Sequence, residues 1–158
     1  MVEDVRITDL EDEVRALRKQ VEELTNSDGV VVPPWLPVTF GPVRAQDLPT
    51  VTSASFETVW EARFTKLYPY VALTTVQGCD EGTVGAAQLV ATDLDTGAEE
   101  VVDAWPLSVG VAWARRGPYE LPDDKYPGEV RLSMRYRRSR GPGAVRASVL
   151  DAAQHPAD

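Results

Sequence analysis

The chain has 158 residues, 25 acidic and 16 basic, for a formal charge of −9 at neutral pH, a surplus that argues against general nucleic-acid binding, where Lys and Arg must neutralise phosphates. Its single cysteine, Cys79, and single histidine, His155, exclude an intrachain disulfide, a cysteine zinc cluster and a multi-histidine metal site, and leave almost nothing from which to build a Ser-His-Asp triad. No apolar run approaches the length of a membrane span, the acidic start Met1-Val2-Glu3-Asp4 does not read as a signal peptide, and the length suits one real domain plus a short appendage.

The first element is a helix with a heptad seam. Ile7, Leu10, Val14, Leu17, Val21 and Leu24 follow one another in alternating steps of three and four, which draws a narrow apolar stripe along one face. With Ile7, Val14 and Val21 at a and the three leucines at d, Arg6 and Glu13 fall at g, and Glu11 and Arg18 at the following e. Both g–e pairs are opposite in sign, so parallel, in-register self-association is expected. Branched residues at a with Leu at d favour two strands. Arg6-Ile7-Thr8-Asp9-Leu10-Glu11, however, resembles the short trimerisation motif of three-stranded coiled coils (Arg, apolar, any, any, apolar, Glu), and a homotrimer is expected over a dimer. A helix from Val5 to Thr25 would span about 32 Å, marginal in water without help from a larger assembly.

Residues 1–25 are thus assigned to a trimeric stalk. Thr25-Asn26-Ser27-Asp28-Gly29 stops the helix, and Pro33, Pro34 and Pro37 hold the following stretch extended, so residues 26–50 are read as a neck. Trp35 and Leu36 are expected to pack against the head or a neighbouring subunit.

From residue 51 to 153 the pattern is β. Strands are expected around Phe56 to Phe64, over Tyr70 to Val76, over Thr83 to Thr92, over Glu99 to Trp105 and over Leu107 to Ala114. Asp93-Leu94-Asp95-Thr96-Gly97 is expected to turn the third of these into the fourth as a hairpin. Val130, Leu132, Met134 and Tyr136 alternate with Arg131, Ser133, Arg135 and Arg137. Arg140-Gly141-Pro142-Gly143 then reads as the turn of a closing hairpin whose return carries Val145, Ala147 and Val149. Short strands punctuated by turn residues imply a mainly β fold, an antiparallel, jelly-roll-like β-sandwich behind the coiled-coil helix. Gly117 to Gly128 is the longest expected loop, and residues 154–158 are expected to fray.

Candidate sites are few, and no cofactor or metal is expected. Asp93-x-Asp95-x-Gly97, with Glu99 and Glu100 nearby, resembles half a calcium loop, but a plain hairpin turn is the favoured reading. Arg131, Arg135 and Arg137 project from one sheet face. They suit acidic glycans or phosphates, or, as the favoured reading, pairing with the acidic stretch Asp80 to Asp103, which contains no Lys or Arg. Trp60, Trp105 and Trp113 lie inside expected strands and are assigned to the core. Tyr119, in the expected loop, is the candidate exposed aromatic.

A coiled coil, a Pro-rich neck and a β-sandwich head form the plan of many bacteriophage appendage proteins. The head resembles small minor tail proteins of phages that infect actinobacteria, in Phe56-Glu57-Thr58-Val59-Trp60-Glu61-Ala62-Arg63, in Ala114-Arg115-Arg116-Gly117-Pro118-Tyr119 and in the closing Arg-Gly-Pro-Gly. The resemblance covers about residues 51 to 152 and implies a virion component, assembled in the host cytoplasm, that binds other virion proteins and, through its head, a host-surface glycan. It brings no catalytic residues. Two alternatives stay open: a capsid decoration or head-fibre protein at three-fold positions, and a trimeric carbohydrate-active enzyme using Asp123 and Asp124. Neither nucleic acid nor membrane insertion is expected.

Overall fold

The structure, a computed structural model, describes residues 10–21, 36–37 and 48–157. The chain forms two compact units, Met1–Pro34 and Trp35–Asp158. In the first, residues 10–21 form an α-helix, α1, whose side chains are all exposed. The run Leu-Glu-Asp-Glu-Val-Arg-Ala-Leu-Arg-Lys-Gln-Val contains no Gly or Pro and is dominated by good helix formers. Asp12 and Arg15 add an i,i+3 pair at 3.4 Å.

The second unit is built from β1 (Leu36–Pro37), β2 (Thr50–Val51), β3 (Glu57–Thr65), β4 (Tyr70–Cys79), β5 (Val84–Asp93), β6 (Glu99–Leu107), β7 (Gly110–Glu120), β8 (Glu129–Arg140) and β9 (Val145–His155). They make two antiparallel sheets. One has the order β1-β9-β4-β7, with β2 also on β9; the other runs β3-β8-β5-β6. The pairings nest: β2 with β9, β3 with β8, β4 with β7 and β5 with β6. One long antiparallel ribbon has therefore been rolled up, and the lateral pairs β4–β9 and β5–β8 seal the roll. This is the jelly-roll arrangement expected from the strand pattern.

Nesting corrects the closing hairpin. β8 and β9 belong to different sheets, so Arg140-Gly141-Pro142-Gly143 is a crossover between layers. The alternation in β8 and β9 was real, but it fixes only which face each strand buries. The crossover packs on the β4–β5 connection at close range. A Cβ on Gly141 (φ +99°) would lie 2.3 Å from the Gly82 carbonyl oxygen, and one on Gly143 would lie 2.5 Å from Asp80 Cβ. Asp80 accepts from the Ala144 backbone N–H at 3.0 Å and from Arg146 Nε at 2.8 Å. Thr83 Oγ1 accepts from the Gly143 N–H at 2.8 Å. Both bonds to Asp80 hold its carboxyl below the usual aspartate range, Arg146 most strongly.

The two layers bury alternate residues: Trp60, Ala62 and Phe64 from β3, Val71 and Leu73 from β4, Leu89 and Ala91 from β5, Val130, Leu132, Met134 and Tyr136 from β8, and Val145, Ala147 and Val149 from β9. Tyr136 donates to Gln77 Oε1 across the layers at 3.2 Å. Full burial of each large side chain contributes about 1.5–3 kcal/mol.

Three boundaries differ from expectation. Leu107 closes β6, and the next strand begins at Gly110, so the expected fifth strand is split between two sheets. β7 runs on to Glu120, which shortens the expected 117–128 loop to 121–128. The expected frayed tail is strand through His155, because the buried Gln154 carboxamide accepts from the Leu67 and Tyr68 N–H groups and donates to Thr65 O. Of the expected neck, Leu36–Pro37 and Thr50 also pair with β9; Trp35 lies outside the described residues.

Candidate interaction surfaces

Three surfaces carry the side chains singled out from the sequence. The first is the α1 stripe. Leu10, Val14, Leu17 and Val21 are 48–59% exposed, whereas Leu73, Leu89, Leu132, Val130 and Val149 in the head core are fully buried. Glu11, Glu13 and Arg18 are also exposed on α1. Arg6, Ile7 and Leu24 lie outside the described residues.

The second is the outer face of the β3-β8-β5-β6 sheet. Residues sharing this face stand in rows across the strands. Arg63, Arg131, Thr92 and Glu99 form one row, and Glu61, Ser133, Val90 and Val101 the next. Arg135 reaches diagonally across the second row to Glu99, with both carboxylate oxygens bound at 2.6 and 2.7 Å. The charged arms lie over Val90 and Ser133, which are buried on what would otherwise be a wet face. The Arg135 bonds hold the Glu99 carboxyl below the ordinary glutamate range, with Arg131 adding attraction. Arg137 stacks on the Phe56 ring at 4.7 Å. The arginine row thus divides: Arg135 pairs with the acidic stretch in its own chain, Arg137 covers an aromatic ring, and Arg131 keeps an unpartnered, buried Nε.

The acidic turn after β5 spends its carboxylates locally. Asp93 accepts from the Asp95 N–H at 3.2 Å and from Thr96 Oγ1 at 2.6 Å, and the Thr96 hydroxyl does most to lower its carboxyl below the usual range. Lys125 binds Glu100 at 3.1 Å. Beside it, burial and then the Glu100 charge push the Tyr126 hydroxyl up to about 12. Among the described residues no group of three or more His, Cys, Asp or Glu is placed to hold a metal. Asp123 is tied by an ion pair to the buried Lys66 amine.

The third surface is the flank where β6 and β7 meet. Arg116 sits 4.2 Å over the Trp105 ring, and Tyr119 donates to Asp103 at 2.5 Å, so two contacts latch the edges of the two sheets together. Tyr119 is therefore a half-buried strand residue and not an exposed loop aromatic; burial, then the Asp103 hydrogen bond, raise its hydroxyl well above the ordinary tyrosine value. Among the described residues the exposed aromatic is Trp113, 70% accessible, with Val109 and Val111 beside it at 57% and 49%. Its assignment to the core fails because of register: Trp113 stands opposite Val76, on the face of the sheet turned away from the other layer. Ala112 and Ala114 take the face shared with Gln77 and Thr75, and the large residues face out. Alternation located the strand but not which of its faces is inside.

No protein-family model and no curated protein matches the chain. The head is similar in fold to part of three solved viral chains. With the structure of infectious bursal disease virus Gt strain it shares 15% identity at a TM-score of 0.44, over 75% of this chain and 38% of that one. For the VP2 subviral particle of infectious bursal disease virus the values are 13%, 0.43, 68% and 30%. For the Gx strain they are 14%, 0.41, 77% and 30%. The chain matches less than two-fifths of each solved chain's length.

Proposed function

We propose that this protein is a non-enzymatic structural component of a bacteriophage virion, a homotrimeric minor tail, tail-tip or fibre protein whose head contacts the host surface. The observation that carries the reading is the contrast within the chain: a jelly-roll head that buries its own core, attached to a helix whose apolar seam is exposed. A helix of this length with half-exposed Leu and Val does not persist alone in water. Copies of itself complete it. Three heads on one stalk convert weak individual contacts into avidity, and jelly rolls serve widely as shell and lectin modules.

Absolute mass by light scattering tests the assembly. A trimer supports the reading, whereas a monomer at all concentrations removes the appendage argument. Copy number in purified virions tests the location. A low number places the protein in the tail, and one comparable with the shell protein places it on the capsid, as a decoration. Loss of binding to host cells or envelope glycans in head variants tests the receptor role.

A further inference from the structure

The row Arg63–Arg131–Thr92 on the outer face of the β3-β8-β5-β6 sheet combines opposed like charges with two of the buried, unpartnered polar atoms among the described residues. Arg63 and Arg131 are direct cross-strand partners, and Arg131 is in turn opposite Thr92. Like charges directly opposed across a sheet destabilise it. Neither guanidinium makes an ion pair or a side-chain hydrogen bond among the described residues. Two polar atoms in the row, Arg131 Nε and the Thr92 hydroxyl, are also buried without a partner, although Thr92 is only 3% exposed. A buried polar atom left unbonded forfeits its hydration without replacement, and such atoms in a native fold point to a missing partner.

The neighbouring carboxylates do not fill that role. Glu99 gives both oxygens to Arg135, Glu129 takes the Thr65 hydroxyl with one oxygen, and Glu61, in the adjacent row opposite Ser133, makes no hydrogen bond or ion pair to Arg63 or Arg131. What remains is two guanidinium forks beside one hydroxyl, with Glu99 at the end of the row as the nearest negative charge and already bonded to Arg135. Guanidinium forks match oxyanions, and three donor groups from three strands suit a tetrahedral oxyanion better than a carboxylate, which has only two oxygens to share.

We infer that Arg63, Arg131 and Thr92 form a binding site for a tetrahedral oxyanion, a phosphate or sulfate group, free or carried on a saccharide. The site lies on rigid strands, and Arg63 is exposed to receive the group. This inference does not rest on the trimer: it concerns one head.

The test is titration of the full chain with inorganic phosphate at constant ionic strength, followed by amide chemical shifts. Saturable shifts confined to β3, β8 and β5 around Arg63, Arg131 and Thr92 are expected. Arg63→Gln, an exposed change that leaves the core intact, weakens the apparent affinity about tenfold or more, the scale of losing a charge-assisted bidentate contact. Thr92→Val weakens it less. Arg140→Gln makes the same charge change at the far end of β8 and leaves affinity unaltered. Absent or non-saturating shifts, or equal losses in the Arg63 and Arg140 variants, overturn the site in favour of diffuse charge attraction. Glucose 6-phosphate as second probe distinguishes the sources. Tighter binding than phosphate identifies a saccharide-borne group, and equal or weaker binding identifies the free ion.

Discussion

The stalk and the head use the same apolar residues and treat them in opposite ways. Leu132 and Leu89 are fully buried among strands of a single chain, whereas Leu10 and Leu17 on α1 are 59% exposed. In the head, nested pairing gives every central strand two neighbours and an opposing sheet, so one copy satisfies its own hydrophobic face. A single helix has one stripe and nothing to press it against. Burial is a property of the unit that folds, and under the proposed assembly the unit for α1 is larger than one chain.

Leu17→Lys breaks the comparison most completely. It places a charge in the seam, and the assembly measured by light scattering is expected to fall to monomer while the melting of the head is unchanged. A persistent oligomer would move the interface to the head, where the Val109-Val111-Trp113 flank is the exposed apolar surface. Leu132→Ala is the converse. It is expected to cost the head about 2–5 kcal/mol through lost burial and a cavity, seen as a lower denaturation midpoint at every protein concentration.

Gly141→Ala sharpens the view of the crossover. With φ at +99° and a Cβ 2.3 Å from the Gly82 carbonyl oxygen, it is expected to cost about 1–3 kcal/mol in equilibrium unfolding. Alanine at Gly97, where a Cβ meets nothing within 4 Å, isolates the strain of positive φ alone.

Glu99→Gln has the smallest effect, at most about 1 kcal/mol because the pair is partly solvated. Arg135 holds the folded-state pKa of Glu99 below its ordinary value of 4.5. The carboxylate therefore stabilises the fold above that value, and its contribution is lost as pH falls through the lowered folded-state pKa. The stability difference between wild type and variant is expected to be full at neutral pH and to vanish in strong acid, as measured by urea unfolding across pH.

Much of this architecture was legible without coordinates. Strict alternation in Val130 to Arg137 identified β8 and its core face, and Asp93 to Gly97 announced the β5–β6 hairpin, because a side-chain period of two and local turn chemistry are written in neighbouring residues. Arg135's pairing with the acidic stretch was favoured from charge distribution alone. The orientation of β7 was not legible: Val109, Val111 and Trp113 alternate as core residues do, and only the register of β7 on β4 shows that Val111 and Trp113 take the outer face. Nor was the row Arg63–Arg131–Thr92, whose members come from β3, β8 and β5 and meet only through register.

The sequence by itself determined the periodicities: a seam of three-and-four steps in α1, alternation in the strands, glycine where the RGPG crossover turns, and an inventory of one cysteine and one histidine that excludes an intrachain disulfide, a cysteine zinc cluster and a multi-histidine metal site. These are local properties, set by backbone geometry and side-chain type. The tertiary structure alone decided which strands share a sheet, that β8 and β9 part company across Arg140 to Gly143, that Tyr119 is latched to Asp103 while Trp113 faces water, and which charges stand opposed. Each of those depends on contacts between residues far apart in the chain, and chain closure, not local preference, selects them.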